Sequence, residues 1–187
     1  MKKLILVATM LAAVCAQAEM KVGTVDLLKL VRNHSSYDSN HQLLETTQKD
    51  YQKKLDKMKD AAESLANEGK KMAEQARSPM LAAAAKQKLE KDLADLQQKF
   101  MAAQQELRVE AVRSERELSD LEGRLMKSTT DDINAKLQAF AVQNGYDLIL
   151  NETACPYAKK ELDVTNEVLK SMGVDPAKAK EFSDEGK

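Results

Sequence analysis

Between about Asn40 and Asn144 the chain carries a single strong helix breaker, Arg77-Ser78-Pro79, and this limits its fold more than any other feature. Before the break, Leu44, Tyr51, Leu55, Met58, Ala62, Leu65, Met72 and Ala76 recur at steps of three or four residues, or at sums of such steps. Gln48 and Gly69 fall in the two gaps. After the break, Leu89, Leu93, Leu96, Phe100, Ala103, Leu107 and Ala111 repeat the pattern, and Leu118, Leu121 and Leu125 continue it. The positions between are charged or amide-bearing, so each segment is a helix with one apolar side and a heptad-like seam. The break predicts a turn of two or three residues, with Ser78 as cap and Pro79 as first helical residue. Helices joined so tightly run antiparallel. An arm of ~35 residues reaches roughly 50 Å. Gly69 costs the first helix about 1 kcal/mol relative to Ala; it either permits a bend or is simply tolerated. The second helix outlasts the first and reaches Gln143, where Asn144-Gly145 is a stop signal.

The flanking segments differ in kind. Met20 to Val25 alternates and predicts a strand, and Asp26 caps a short helix through Val31. Tyr146 to Leu150 predicts a second strand, mostly apolar and therefore buried. Cys155 to Ala158, entered through Pro156, is a candidate third. Thr165 caps a helix through Met172, ended by Gly173; Asp175-Pro176 opens a last short helix, and Ser183 to Lys187 frays. The expected fold class is mainly α with a small β body. Residues 39–144 form a long antiparallel helical hairpin, a coiled-coil arm, projecting from a β-rich oligomerisation body of residues 19–38 and 145–187. A body of about 60 residues with two or three short strands is marginal alone and leaves sheet edges open. Completion by other copies in a closed cyclic oligomer follows. Val22, Val25, Leu148, Ile149, Leu150, Tyr157, Val168 and Leu169 are the candidate core of that body and of its oligomer.

Residues 1–18 are expected to be lost. Lys2 and Lys3 precede an apolar run from Leu4 to Cys15, and Ala16-Gln17-Ala18 is a small-x-small cleavage site, so a signal peptide is predicted with cleavage near Ala18. The run is too short for a permanent membrane span. Export places the mature chain in the periplasm. The whole chain has a formal net charge of −1; without Lys2 and Lys3, 27 basic residues face 30 acidic ones, about −3. A general nucleic-acid binder carries a basic surplus instead, so no nucleic-acid partner is expected. Cys155 is left as a lone thiol without an intrachain disulfide partner, either a small semi-buried hydrophobe or an intermolecular bridge.

No catalytic constellation stands out, and no enzyme activity, cofactor or metal is expected. His34 and His41 have no partner cysteine, and neither a His-Glu-x-x-His nor a Cys-x-x-Cys spacing exists. Solvent-exposed or capping histidines near Ser35, Ser36 and Asp38 are the expectation. There is no glycine-rich phosphate loop.

Three stretches carry a family resemblance: Lys21-Val22-Gly23-Thr24-Val25-Asp26; Asn144-Gly145-Tyr146-Asp147-Leu148-Ile149-Leu150-Asn151; and Tyr157-Ala158 followed by Leu162-Asp163-Val164-Thr165-Asn166-Glu167-Val168-Leu169. In this order, around a long hairpin, the chain resembles the Skp/OmpH family of periplasmic chaperones. The resemblance implies a homotrimer with a shared barrel-like body, whose three arms enclose a cavity. It implies an ATP-independent holdase that keeps unfolded outer-membrane proteins in that cavity. A structural or adaptor coiled-coil protein of the envelope is the alternative.

The family's best-known members are strongly basic, whereas the basic surplus here is local. Lys70, Lys71, Arg77, Lys86, Lys88 and Lys91 outnumber Glu74 and Glu90 around the expected arm tip, about +4. With Met80 and Leu81 they are the candidate contact for cargo or for anionic lipid, the alternative being an ordinary solvated charged helix surface. Met58, Met72, Met101 and Met126 are flexible enough to suit unlike partners, but Met58 and Met72 lie on the seam and are read as filling it.

Overall fold

The structure, a computed structural model, describes residues 20–181. The leader expected over 1–18 and the fraying expected over Ser183 to Lys187 lie outside them. In chain order the elements are β1 (Val22–Val25), α1 (Leu27–Arg32), α2 (Tyr37–Ala76), α3 (Ala83–Asn144), β2 (Leu148–Asn151) and α4 (Thr165–Ser171), with single 3-10 turns at Glu152–Ala154, Lys160–Leu162 and Pro176–Lys178. The architecture is mostly helical with one small two-stranded sheet. Two compact units result: residues 20–30 with 135–181, and residues 31–134.

In the first unit β1 and β2 pair in parallel, Val22 opposite Leu148 and Val25 opposite Asn151. A parallel pair needs a long crossover, and the helices between the strands supply it. The third strand expected at Cys155 to Ala158 does not form. Its place beside β1 is taken by Asp163, which bridges to Thr24, while the Val164 N–H donates to the Thr24 carbonyl at 2.9 Å. Pro156 has no N–H to offer a ladder, so the pairing moves downstream to residues that do. Gly23 lets this layer close: a Cβ there would sit 3.2 Å from Tyr146 Cε1 and 3.3 Å from Val164 Cγ2.

Both glycine stops close as expected. Gly145 has φ +68° and Gly173 φ +82°. The Tyr146 N–H donates to Ala141 and the Val174 N–H to Leu169, both at 2.9 Å, the six-to-one bond of a Schellman cap. At the end of α3 the cap is sealed by Phe140 stacking on Tyr146, centroids 5.8 Å apart. Lys21 adds to it, with Nζ 4.1 Å above the Tyr146 ring and donating to the Asn144 carbonyl at 2.8 Å. Asp26 caps α1 through the Lys29 N–H at 3.0 Å. The cap of α4 departs from expectation. Val164 stands at the N-cap and Thr165 is the first helical residue: its N–H donates to Asp163 Oδ1 at 2.9 Å, its hydroxyl donates to the same oxygen, and Thr165 Oγ1 accepts from the Asp26 N–H at 2.9 Å. Val25, Leu30, Phe140, Val164, Val168 and Leu169 form the core of this unit.

In the second unit the partner positions descend along α3 as they ascend along α2. Asn40 Nδ2 donates to Thr129 Oγ1 at 3.2 Å, Tyr51 Oη to Glu117 at 2.7 Å and Lys54 Nζ to Glu110 at 2.5 Å; Gly69 lies beside Leu96. The connection is longer than expected. Pro79 is not helical: the Leu81 N–H donates to the Ser78 carbonyl at 3.3 Å, so Pro79 occupies the second position of a turn, where its fixed φ fits. Helix α3 begins only at Ala83, with the Lys86 N–H bonded to Ala82 at 3.0 Å, so six residues, 77–82, join the two helices.

Candidate functional site

The stripe residues named on α2 and α3 all lie buried or half-buried, Ala62 and Leu96 most deeply. Gln48 is exposed and Thr47 is turned inward in its place. The seam is less apolar than the leucines suggest. Glu117 accepts from Tyr51 Oη at 2.7 Å and from Arg113 Nε at 2.7 Å. The Arg113 hydrogen bond, then that from Tyr51, holds the Glu117 carboxyl below the usual carboxylate range. In return the Glu117 hydrogen bond keeps the Tyr51 phenol protonated to higher pH than an ordinary tyrosine, and raises Arg113 further. One turn away, Ser114 is 4% exposed and its Oγ has no hydrogen-bond partner among the described residues. Glu45, at the surface of α2, is held low by its hydrogen bond from Lys49.

Near the start of α2, His34 follows the capping alternative and not the exposed one: its side chain is 7% exposed. Nδ1 accepts from the Ser36 N–H at 3.2 Å and lies 2.8 Å from Ser36 Oγ; Nε2 lies 2.6 Å from Asp132 Oδ2. In a neutral ring the Ser36 N–H fixes the tautomer, with the proton on Nε2 toward Asp132. The order serine, histidine, aspartate is that of a hydrolytic triad. Here, however, Ser36 Oγ also takes the Asn40 amide at 3.3 Å and meets Thr129 Oγ1 at 3.5 Å, so it is engaged in a structural clasp between α2 and α3. His41 is exposed and stacks on Tyr37, centroids 6.4 Å apart. No group of three metal-ligating side chains occurs among the described residues. No described helix is long and apolar enough to cross a membrane.

The basic candidates gather around the connection. Lys70 and Lys71 lie near the end of α2, Arg77 directly follows it, and Lys86, Lys88 and Lys91 occupy the first turns of α3. All six are exposed, and none enters an ion pair among the described residues. Met80 is 95% exposed and Leu81 half-buried. In the other unit Val25, Val168 and Leu169 are buried, and Val22 and Ile149 half-buried. Tyr157 is exposed. Leu148 and Leu150 are 41% and 37% exposed in a sheet that has two strands among the described residues; the burial expected for this strand is incomplete within one chain.

Sequence reading missed the clasp and the mid-seam polar layer, yet a signal was present. Extending the stripe by three from Ala111 reaches Ser114, and by four from Leu125 reaches Thr129 and then Ile133, which is fully buried. Polar residues in register with a seam point to specific pairing there.

No curated protein matches the chain. A solved OmpH-like protein from Caulobacter crescentus CB15 shares the fold with a TM-score of 0.58; it is 18% identical, and the alignment covers 90% of this chain and 95% of that one. The family model of OmpH-like outer membrane proteins matches residues 21–172, from β1 to the end of α4. The chain belongs to the OmpH-like family.

Proposed function

We propose that this protein is an ATP-independent chaperone of the periplasm that holds unfolded outer-membrane proteins. In this reading α2 and α3 form an antiparallel hairpin arm, 39–144, on a body, 19–38 and 145–187, that closes by assembling as a homotrimer around a client cavity. The observation that carries the reading is how apolar surface is distributed on α3 and the connection before it. Met80 of the connection and Met101, Val109, Val112 and Met126 of α3 are each at least half exposed, and they are spread along the chain rather than gathered into one pocket. Retaining an unfolded chain calls for many weak, adaptable contacts, and methionine suits that use. The Caulobacter protein of this fold is assigned as an outer membrane chaperone, which points the same way. Exposed Leu148 and Leu150 on β2 support self-association of the body.

The test is a mass measurement on the mature protein with and without a urea-denatured β-barrel protein. A trimer that takes up one client and suppresses its aggregation is expected. A monomer at micromolar concentration with no effect on aggregation refutes the reading. Stoichiometric capture of one folded envelope protein, with no β-barrel precursor retained, favours an adaptor instead.

A further inference from the structure

Gly69 has no structural task that the fold explains. It stands inside the 40-residue helix α2, which continues through it. Its φ is not positive, so the backbone does not call for glycine. Nor does packing: a Cβ there would meet only Leu96 Cδ2, at 3.5 Å, an ordinary contact. What the missing side chain leaves is a notch. Leu65, Ala66 and Gly69 of α2 and Leu93, Gln97 and Phe100 of α3 line it together with Leu96, and it is an open, mostly apolar groove of about 270 Å³.

The charge beside the notch narrows the occupant. Residues four, seven and eleven apart share a helix flank, so Ala66 is followed on its side by Lys70, Ala73 and Arg77. On α3 the flank of Gln97 carries Glu90 and Lys86. These two flanks thus carry three cations and one anion. The acidic side chains Asp60, Glu63 and Glu68 line a separate depression on another face of α2. We propose that the notch is a socket for one aromatic side chain of an unfolded polypeptide, with acidic residues beside that side chain meeting Lys70, Arg77 and Lys86. The proposal rests on the chaperone reading and gives it a specific contact.

The test uses the mature full chain and a synthetic peptide bearing one phenylalanine between aspartates. Methyl shifts at Leu65, Leu93 and Leu96 on titration report occupancy, and affinity is read by fluorescence anisotropy. Replacing the phenylalanine by alanine is expected to weaken binding about tenfold or more. Replacing the aspartates by lysines is expected to abolish it at low salt. Gly69→Ala is expected to raise the thermal midpoint by ~2–4 °C, as a helix-interior glycine replacement does in a chain of this size. The same change should weaken the peptide about fivefold or more by placing a methyl group in the notch beside Leu96. Gly123→Ala, in α3 with nothing within 4 Å of its Cβ, is the control and should raise the midpoint without changing affinity. Equal affinity for the alanine peptide, unchanged binding by Gly69→Ala, or a lower midpoint in that variant overturns the socket. Concentration-dependent shifts without peptide assign the notch to a second copy and overturn it too. If the peptide fails while a denatured β-barrel protein is still retained, the socket falls and the chaperone reading stands; if neither is retained, both fall.

Discussion

Replacing Gly145 isolates the energetics of the cap that ends α3. Its φ of +68° places it in the left-handed region, and a Cβ added there meets nothing within 4 Å. The cost of Gly145→Ala is therefore a backbone cost alone, about 1–2 kcal/mol for an L-residue in that conformation. Alanine also narrows the unfolded ensemble, which returns about 0.4–1 kcal/mol. The net expectation is a destabilisation of about 1 kcal/mol, or ~2–4 °C in the midpoint. Asparagine tolerates the left-handed region better, so Gly145→Asn should lose roughly half as much. Gly123→Ala carries the opposite sign: its helical position calls for no special backbone, and a gain of about 0.5–1 kcal/mol is expected. The assay is urea unfolding followed by circular dichroism at one fixed protein concentration, since assembly would shift the midpoint by mass action. If Gly145→Ala is neutral or stabilising, or if Asn is worse than Ala, the Tyr146-to-Ala141 cap does not set the stability of this end of the helix.

Three further outcomes are expected. Glu117 is held below its ordinary value and Tyr51 above its own, so their contribution should be present at neutral pH and fail at both extremes. On the acid side it is lost as pH falls through the depressed Glu117 value; on the alkaline side it is lost as pH rises through the raised Tyr51 value. Glu117→Gln should flatten the acid limb of a stability–pH profile, and an unchanged limb would remove Glu117 from it. Ser114→Ala should stabilise by about 1 kcal/mol, because a buried hydroxyl without a partner is removed from the seam; a loss on denaturant unfolding would reveal a partner for that oxygen. Charge reversal of Lys86, Lys88 and Lys91 to glutamate should abolish low-salt retention on phosphatidylglycerol vesicles without lowering the thermal midpoint. Retention that survives reversal would exclude the basic turn as a lipid contact.

What the sequence made legible was whatever local chemistry decides. The three-and-four spacing identified the inward side of both long helices, because burying a narrow apolar stripe is the only way such helices gain from packing. Gly145, Gly173 and Asp26 acted where they were expected, since a left-handed residue or a carboxylate at a helix end works within a few residues. The misses share one cause: the deciding partner was distant in sequence. Thr165 looked like a cap, but it is the first helical residue, and its hydroxyl oxygen accepts from the N–H of Asp26, 139 residues away. The sequence leaves His34 open between an exposed and a capping role because its partner Asp132 lies 98 residues downstream. Pro79 was compatible with a helix start, but a turn uses the same fixed φ, and the alanines from Ala82 onward begin a helix without a polar cap.

The polar contacts between α2 and α3 are unevenly placed, and this bears on where a client could be accommodated. The clasp of His34, Ser36, Asn40, Thr129 and Asp132, and the layer formed by Tyr51 with Glu117 and Lys54 with Glu110, all join α3 to the first half of α2 or to the residues just before it. Specific polar pairs inside a seam fix register, because any slip leaves a buried group without its partner. From Leu55 to Ala76 the side chains turned toward α3 are apolar or small. Apolar contacts of this kind change partners at lower cost, since dispersion and area burial do not depend on direction. The turnward half of the pair is therefore the half that can adjust its packing, and the Gly69 notch and the exposed cations lie within it. Stiffening that half with a polar pair across the seam should reduce client retention more than the same change near Tyr51.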